Sequence, residues 1–379
     1  MTQISFASSR SSPIISIHEA LGAGFFVWNQ MPVPSSYGEG VESEHKAIRK
    51  ASGLTDMSGI KKIWLKGADA PKVIDFSITR DCNKITPGTA AYAALLDENG
   101  YLIDDAIFFR LSPPESEKFD AAWLLCFGAG FGVDYLTKSL DGNKVSARAD
   151  DDTACLMLQG PFAETVMKRV VEGPLPTNLR RFEHGLFSIL DSDVMIARTS
   201  YSGEDGFEIF AKAQDALPIW NSLISNGALP VGFDAIDIAR IEAGLLFFGR
   251  DMTGFETPTE LGLDFILDDS KKKFRGKTAW QKKSQIPRHK IVGLTIDGLE
   301  PLCERTSLYV NQLPAGKITS YAESAWLGKT VAFAQIKPEL AVNGNQISVG
   351  DENCCSVKSR QGLVCSRRFY SNFREITAI

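Results

Sequence analysis

The segment AYAALLDENGYLIDDAIFFRL, residues 91–111, restricts the fold more than any other. Two apolar, strand-favouring runs flank Asn99-Gly100, a pair that accepts the backbone angles of a tight hairpin turn. An antiparallel hairpin therefore belongs near the start of the fold, which excludes an all-helical chain. Strand alternation puts Tyr101, Ile103, Asp105, Ile107 and Phe109 on one face, and Leu102, Asp104, Ala106, Phe108 and Arg110 on the other. Asp105 then lies on a face that is otherwise apolar or aromatic. Such a carboxylate needs a partner or a chemical task. Backbone N–H groups or an arginine would satisfy it as a structural group; a functional role is the alternative.

A second acidic residue poses the same question. YSGEDGFEIF, residues 201–210, reads as a turn followed by a strand. Glu208, between Phe207 and Ile209, loses hydration on folding unless something donates hydrogen bonds to it. Glu204 and Asp205 read as turn residues.

Elsewhere, Ser16 and Glu19 have capping-box spacing for a short helix ending near Gly22, and GVESEHKAIRKASGL reads as a helix closed near Gly53. IKKIWLKGADA reads strand, turn, helix; KFDAAWLLCFGAG contains a strand; TACLMLQGPFAETVMKRVV reads strand, Gly-Pro turn, helix. FSILDSDVMIARTSYSGEDGFEIFAK reads as a pair of strands, and AIDIARIEAGLLFFG as a helix ending near Gly244. Antiparallel strands mixed with separate helices give an α+β class rather than a doubly wound sheet. The charged stretch 268–290 marks a boundary, so residues 1–275 form one region and 288–379 a C-terminal β-barrel or sandwich of short strands.

Charge and composition exclude several functions. A net charge of −5 supplies no basic face for nucleic acid, and the lysine run at 271–273 reads as a solvated turn. No run of 18 apolar residues predicts a membrane helix, and the N-terminus has no continuous apolar core of signal-peptide type. Seven scattered cysteines, adjoining only at Cys354 and Cys355 and without C-x-x-C, suggest reduced thiols in the cytoplasm. The four histidines are far apart, and neither H-E-x-x-H nor G-x-S-x-G occurs, which argues against a metal site and a serine hydrolase. GAGFG at 128–132 is similar to a phosphate loop only superficially, and Asp237 with Arg240 reads as a helical ion pair.

The segments NGYLIDDAIFF, LMLQGPFA, YSGEDGFEIF, ARIEAGLLFFGRDM, TPTELGL and KFRGKTAW occur in this order. Together they resemble the glycine-cleavage T-protein (aminomethyltransferase) superfamily of tetrahydrofolate-dependent one-carbon transferases. GLTDMSGIKKIWLKGADA resembles its early Asp-x-Ser segment, and GKITSYAES with KTVAFAQI its C-terminal barrel. The resemblance implies a three-lobed cloverleaf with tetrahydrofolate in a central channel. It implies that Glu208 holds the pterin and that Asp105, with Asp104 as second candidate, stands at the reaction centre. A carboxylate accepts the pterin ring N–H and amino group together, and strand aromatics suit its flat ring.

Three positions depart from the T-protein pattern. Gly59 replaces a histidine in DMSGI, Gly128 an asparagine in FGAG, and Ile236 an arginine that reaches the folate tail. Members departing in this way include demethylases that pass a methyl group to N5, among them the dimethylsulfoniopropionate demethylase. The Lys-Gly-Cys-Tyr-x-Gly-Gln-Glu signature of the iron–sulphur assembly branch is absent, as is an appended flavin domain. The expected activity is therefore methyl transfer from a small methylated amine, sulfonium or methoxy compound to tetrahydrofolate. Alternatives are an aminomethyltransferase working with a lipoylated carrier protein, and a non-catalytic folate-binding assembly protein. Tyr201 is the candidate acid or folate contact. Trp28 and Tyr37, from the aromatic segment 22–38, are the candidate cage for a cationic donor.

Overall fold

The computed structural model describes residues 4–303, 305–350 and 360–370. Cys354 and Cys355 lie outside them. Two largely antiparallel sheets and a closed barrel carry the strands that the periodicity predicts, together with others such as Gly53–Asp56 and Ser146–Asp150 that it does not. The first sheet runs, in spatial order, Thr89–Leu96, Leu102–Arg110, Trp123–Phe127, Lys61–Lys66 and Ser146–Asp150. Helices Ala70–Ser77 and Gly132–Leu140 pack on its outer face, over Ile63, Leu65, Phe108, Leu125 and Phe127. The second sheet runs His184–Ile189, Ser192–Ala197, Gly206–Lys212, Thr153–Gln159, Gly53–Asp56 and Leu229–Pro230, the last pair parallel. Helices Ala163–Val170 and Ala213–Ser225 cover its outer face over Leu156, Leu158, Phe207 and Ile209.

The inner faces of the two sheets meet in a shared core. Trp64, Phe109, Leu124 and Cys126 come from the first sheet, and Cys155, Met157, Met195 and Phe210 from the second. Helix Phe233–Glu242 and the hairpin of Phe25–Trp28 with Met31–Pro34 close this core. The barrel, Lys290–Ile296, Lys329–Ile336, Leu313–Ser324, Ser307–Val310, Gln346–Val349 and Arg360–Cys365 in spatial order, forms the third lobe. Among the described residues, no helix is long and apolar enough to cross a membrane.

Several local readings need correction. A β-bulge between Leu95 and Leu96 makes Ile103 an extra residue, so Ile103 turns to the outer face with Ala106 and Phe108. Alternation beyond the bulge stands: Asp105, Ile107 and Phe109 share the inner face. The segment 184–212 forms three strands rather than two. The first helix spans Ile15–Ala20 without a side-chain cap, and the second ends at Lys50, so that Gly53 opens a strand. Gly53 is required there because a Cβ would meet Val231 Cγ2 at 2.8 Å.

The lysine run is only partly solvated: Lys272 and Lys273 are exposed, as a solvated turn predicts, but Lys271 is not. Lys271 is buried, and its ammonium donates to the carbonyls of Asp75, Ile78 at 2.9 Å and Arg80 at 2.6 Å. Those carbonyls lie at and beyond the C-terminal end of helix Ala70–Ser77, where a cation is favoured.

Candidate functional site

The adjacent aspartates of the first hairpin have opposite environments. Asp104 is fully buried on the outer face. Its Oδ1 accepts the N–H groups of Asp105 at 2.9 Å and Gly130 at 3.2 Å, and its Oδ2 accepts that of Gly132 at 2.9 Å. The glycines allow this approach. A Cβ on Gly130 would lie 2.6 Å from the Asp104 Cγ, and one on Gly132 would lie 2.8 Å from its Oδ2. GAGFG thus wraps an internal carboxylate. Burial pushes the Asp104 carboxyl up to about 8, with the charge of Asp105 adding to the effect.

Asp105 is partly buried on the inner face, and its Oδ2 accepts a hydrogen bond from the Tyr92 hydroxyl at 2.8 Å. Burial pushes its carboxyl up to about 6, and the Tyr92 bond opposes that rise. Tyr92 pairs with Ile107 and is a diagonal cross-strand neighbour of Asp105. The hairpin register points to this partner, which the one-strand reading did not include.

Glu208 comes from the second sheet, where it pairs with Ala197 and Met157. Phe207 and Ile209 face the outer helices, while Glu208 and Phe210 face the shared core. The Glu208 side chain is buried, and its Oε2 accepts from the Thr199 hydroxyl. Among the described residues, no donor reaches Oε1. Burial raises the Glu208 pKa, and Thr199 offsets only part of that. The inner core therefore presents a largely buried carboxylate whose side-chain donor among the described residues is Thr199.

The aromatic candidates separate. Tyr201 packs against the shared core, and its hydroxyl donates to the Leu246 carbonyl at 2.7 Å. Burial raises its pKa, so it keeps its proton. Trp28 lies in the same core, with ring centroids 5.0 Å from Phe233 and 6.3 Å from Phe247. Tyr37 belongs to a different cluster. Its hydroxyl lies 2.9 Å from His18 Nδ1, and His18 Nε2 lies 3.0 Å from Asp56 Oδ2. That network engages the Tyr37 hydroxyl, in a cluster apart from Trp28. Asp237 and Arg240 form the expected ion pair at 2.8 Å, extended by Asp251 at 2.5 Å. Ile236 is an apolar core residue. Among the described residues, no group of side chains is arranged to hold a metal ion.

The chain is similar to known proteins over most of its length. Residues 14–271 match the GCVT N-terminal domain, and residues 289–370 match the glycine cleavage T-protein C-terminal barrel domain. The chain belongs to the glycine-cleavage T-protein family. It is accordingly a tetrahydrofolate-dependent one-carbon transferase with the family's cloverleaf and barrel. It is 35% identical over 364 residues to the heme-dependent oxidative N-demethylase gamma subunit of Ectopseudomonas mendocina, covering 92% of this chain and 94% of that one. It is 30% identical over 377 residues to an aminomethyltransferase of Thermotoga petrophila, covering 95% and 98%. The crystal structure of the glycine cleavage system aminomethyltransferase T of Bartonella henselae superposes with a TM-score of 0.85 at 27% identity, over 95% of this chain and 98% of that chain.

Proposed function

We propose that this T-protein family member is a demethylase that moves a methyl group from the ammonium form of a small N-methylated amine to N5 of tetrahydrofolate: the donor's C–N bond breaks as the N5–C bond forms, the donor leaves as a neutral amine, and the N5 proton passes to solvent. The observation that carries the reading is Glu208: a largely buried carboxylate that Thr199 reaches on one oxygen suits the paired N–H groups of a pterin edge. When bound, tetrahydrofolate supplies the nucleophilic nitrogen. Asp105 orients that nitrogen and stabilises positive charge developing beside it, and Tyr92 holds the Asp105 carboxylate in place. Asp104 positions the loop around Asp105 rather than touching the reacting atoms. Tyr201 is a wall of the folate site, since its proton is committed to the Leu246 carbonyl. Trp28, Phe233 and Phe247 offer ring faces to a cationic donor, and Tyr37 takes no part. The relative named as an N-demethylase subunit supports an amine over a sulfonium or methoxy donor.

A second reading, aminomethyl transfer from a lipoylated carrier protein, is favoured by the relatives named aminomethyltransferase. The product separates the two. Purified protein is incubated with tetrahydrofolate and either trimethylamine, N,N-dimethylglycine or dimethylsulfoniopropionate. The expected product is 5-methyltetrahydrofolate from an amine, with Asp105→Asn about 100-fold slower and tetrahydrofolate affinity changed less than about threefold. Formation of 5,10-methylenetetrahydrofolate that depends on a lipoylated carrier would replace this reading with the second.

A further inference from the structure

Two of the positions that depart from the T-protein pattern, Gly59 and Gly128, are tied together by one hairpin tip. Asn29 and Gln30 turn the hairpin with φ of 51° and 66°, both in the left-handed region. The Asn29 side-chain amide donates to the Gly59 carbonyl at 3.2 Å and to the Gly128 carbonyl at 2.7 Å. Arg10 Nη1 donates to the Asn29 carbonyl at 3.0 Å and to the Gly59 carbonyl at 2.9 Å. The tip is thereby pinned beside the reaction-centre aspartate, since a Cβ on Gly128 would lie 3.6 Å from Asp105 Oδ1.

Trp28 uses the room that Gly59 leaves. A Cβ on Gly59 would stand 2.7 Å from Trp28 Cε3 and 3.0 Å from Val33 Cγ1. Any side chain at position 59 would displace the indole. With the Cε3 edge against Gly59, the opposite edge of the ring carries Nε1. Trp28 is 7% exposed, and its Nε1–H is buried without a hydrogen-bond partner among the described residues. An indole N–H donates only, and it usually finds an acceptor when buried. The ring neighbours of Trp28, Phe233 and Phe247, have no acceptor on their side chains.

We propose that Trp28 is a specificity-determining residue for the methyl donor: its Nε1–H donates a hydrogen bond to an oxygen carried by the methylated amine. The substrate class is therefore an N-methylated amine bearing a carboxylate or amide oxygen, rather than a simple alkylamine. This rests on the demethylase reading above. A site built around a buried hydrogen-bonding group rejects an analogue lacking the complementary atom, because the group is then left unpaired. Gly59 and Asn29 belong to the same device, one by making room for the indole and the other by fixing the tip.

The test compares N,N-dimethylglycine with trimethylamine, which keeps the methylated nitrogen and lacks the oxygens. Formation of 5-methyltetrahydrofolate is measured with wild type, Trp28→Phe and Asn29→Ala, alongside calorimetric titration with tetrahydrofolate. Wild type is expected to prefer N,N-dimethylglycine in kcat/KM by at least about tenfold. Trp28→Phe keeps an aromatic face and loses the donor, so most of that preference disappears, mainly through KM, while tetrahydrofolate affinity is unchanged. Asn29→Ala leaves the indole intact and reads the same preference independently. Retention of the preference in both variants overturns the assignment, as does a wild type that prefers trimethylamine. A Trp28→Phe protein that binds tetrahydrofolate about tenfold more weakly also overturns it, by giving the N–H to the folate. No turnover of either amine by wild type refutes the demethylase reading itself, and this assignment with it.

Discussion

Replacing Glu208 by glutamine separates a cofactor-binding carboxylate from a structural one. The side chain keeps its length, and its carbonyl oxygen still accepts from Thr199. In the proposed folate site the other position becomes an amino group facing the pterin N–H edge, so an acceptor turns into a donor opposite donors. A hydrogen bond to a charged group is worth about 1.5–3 kcal/mol, and the unpaired groups add to the loss. The expected cost is about 2–4 kcal/mol, which is ~30- to ~1,000-fold in the dissociation constant for tetrahydrofolate. Anaerobic titration calorimetry reads it directly. Stability should move the other way. Burial raises the Glu208 pKa, so the folded state holds that proton more tightly than the unfolded state. Ionised Glu208 therefore destabilises the unliganded fold increasingly as pH rises through the unfolded and then the folded pKa. Glu208→Gln removes that penalty, and the unliganded variant should melt at or above the wild-type temperature at pH 7–8. The same raised pKa means that wild-type folate binding weakens with acid at a pH above the usual carboxylate range, and that the variant lacks this limb. Unchanged folate affinity together with a lower melting temperature would refute the reasoning, because Glu208 would then be a structural acceptor.

Two further substitutions probe the other carboxylates. Tyr92→Phe removes the hydroxyl that holds the Asp105 pKa down against burial, so the acid limb of kcat/KM should move upward from near 6. An unshifted pH profile would show that Asp105 is not the titrating group. Gly130→Ala drives a Cβ to 2.4 Å from the Ile103 carbonyl oxygen and 2.6 Å from the Asp104 carboxyl carbon. Neither is the free end of a flexible chain, so thermal melting should report a loss of about 2–4 kcal/mol. A melting temperature within about a degree of wild type would mean that the loop relaxes around the methyl group and is not clamped by Asp104.

The carboxylates at the centre of these tests were visible in the chain because each broke an apolar strand pattern. Their partners were not, for a geometrical reason. Tyr92 reaches Asp105 from the neighbouring strand, and Thr199 reaches Glu208 across the register that pairs Glu208 with Ala197. A one-strand reading assigns faces but not diagonal neighbours. The same limit explains Ile103, whose face depends on a bulge that alternation does not reveal. It also explains Lys271, whose environment is a set of carbonyls about 190 residues earlier in the chain. Charge runs read as solvated only when no distant helix end lies beneath them.

The sequence by itself determined the α+β class, the antiparallel first hairpin, the C-terminal barrel, the T-protein resemblance and the two carboxylates at odds with their strands. Those features follow from local periodicity, turn chemistry and the cost of dehydrating a charge, all of which act within a few residues. The tertiary structure decided which of two adjacent aspartates faces the centre, because only folding brings Gly130 and Gly132 onto Asp104 and leaves Asp105 to Tyr92. It also decided that Tyr37 joins His18 while Trp28 fills the space beside Gly59, since close packing of distant segments allots that volume to one ring.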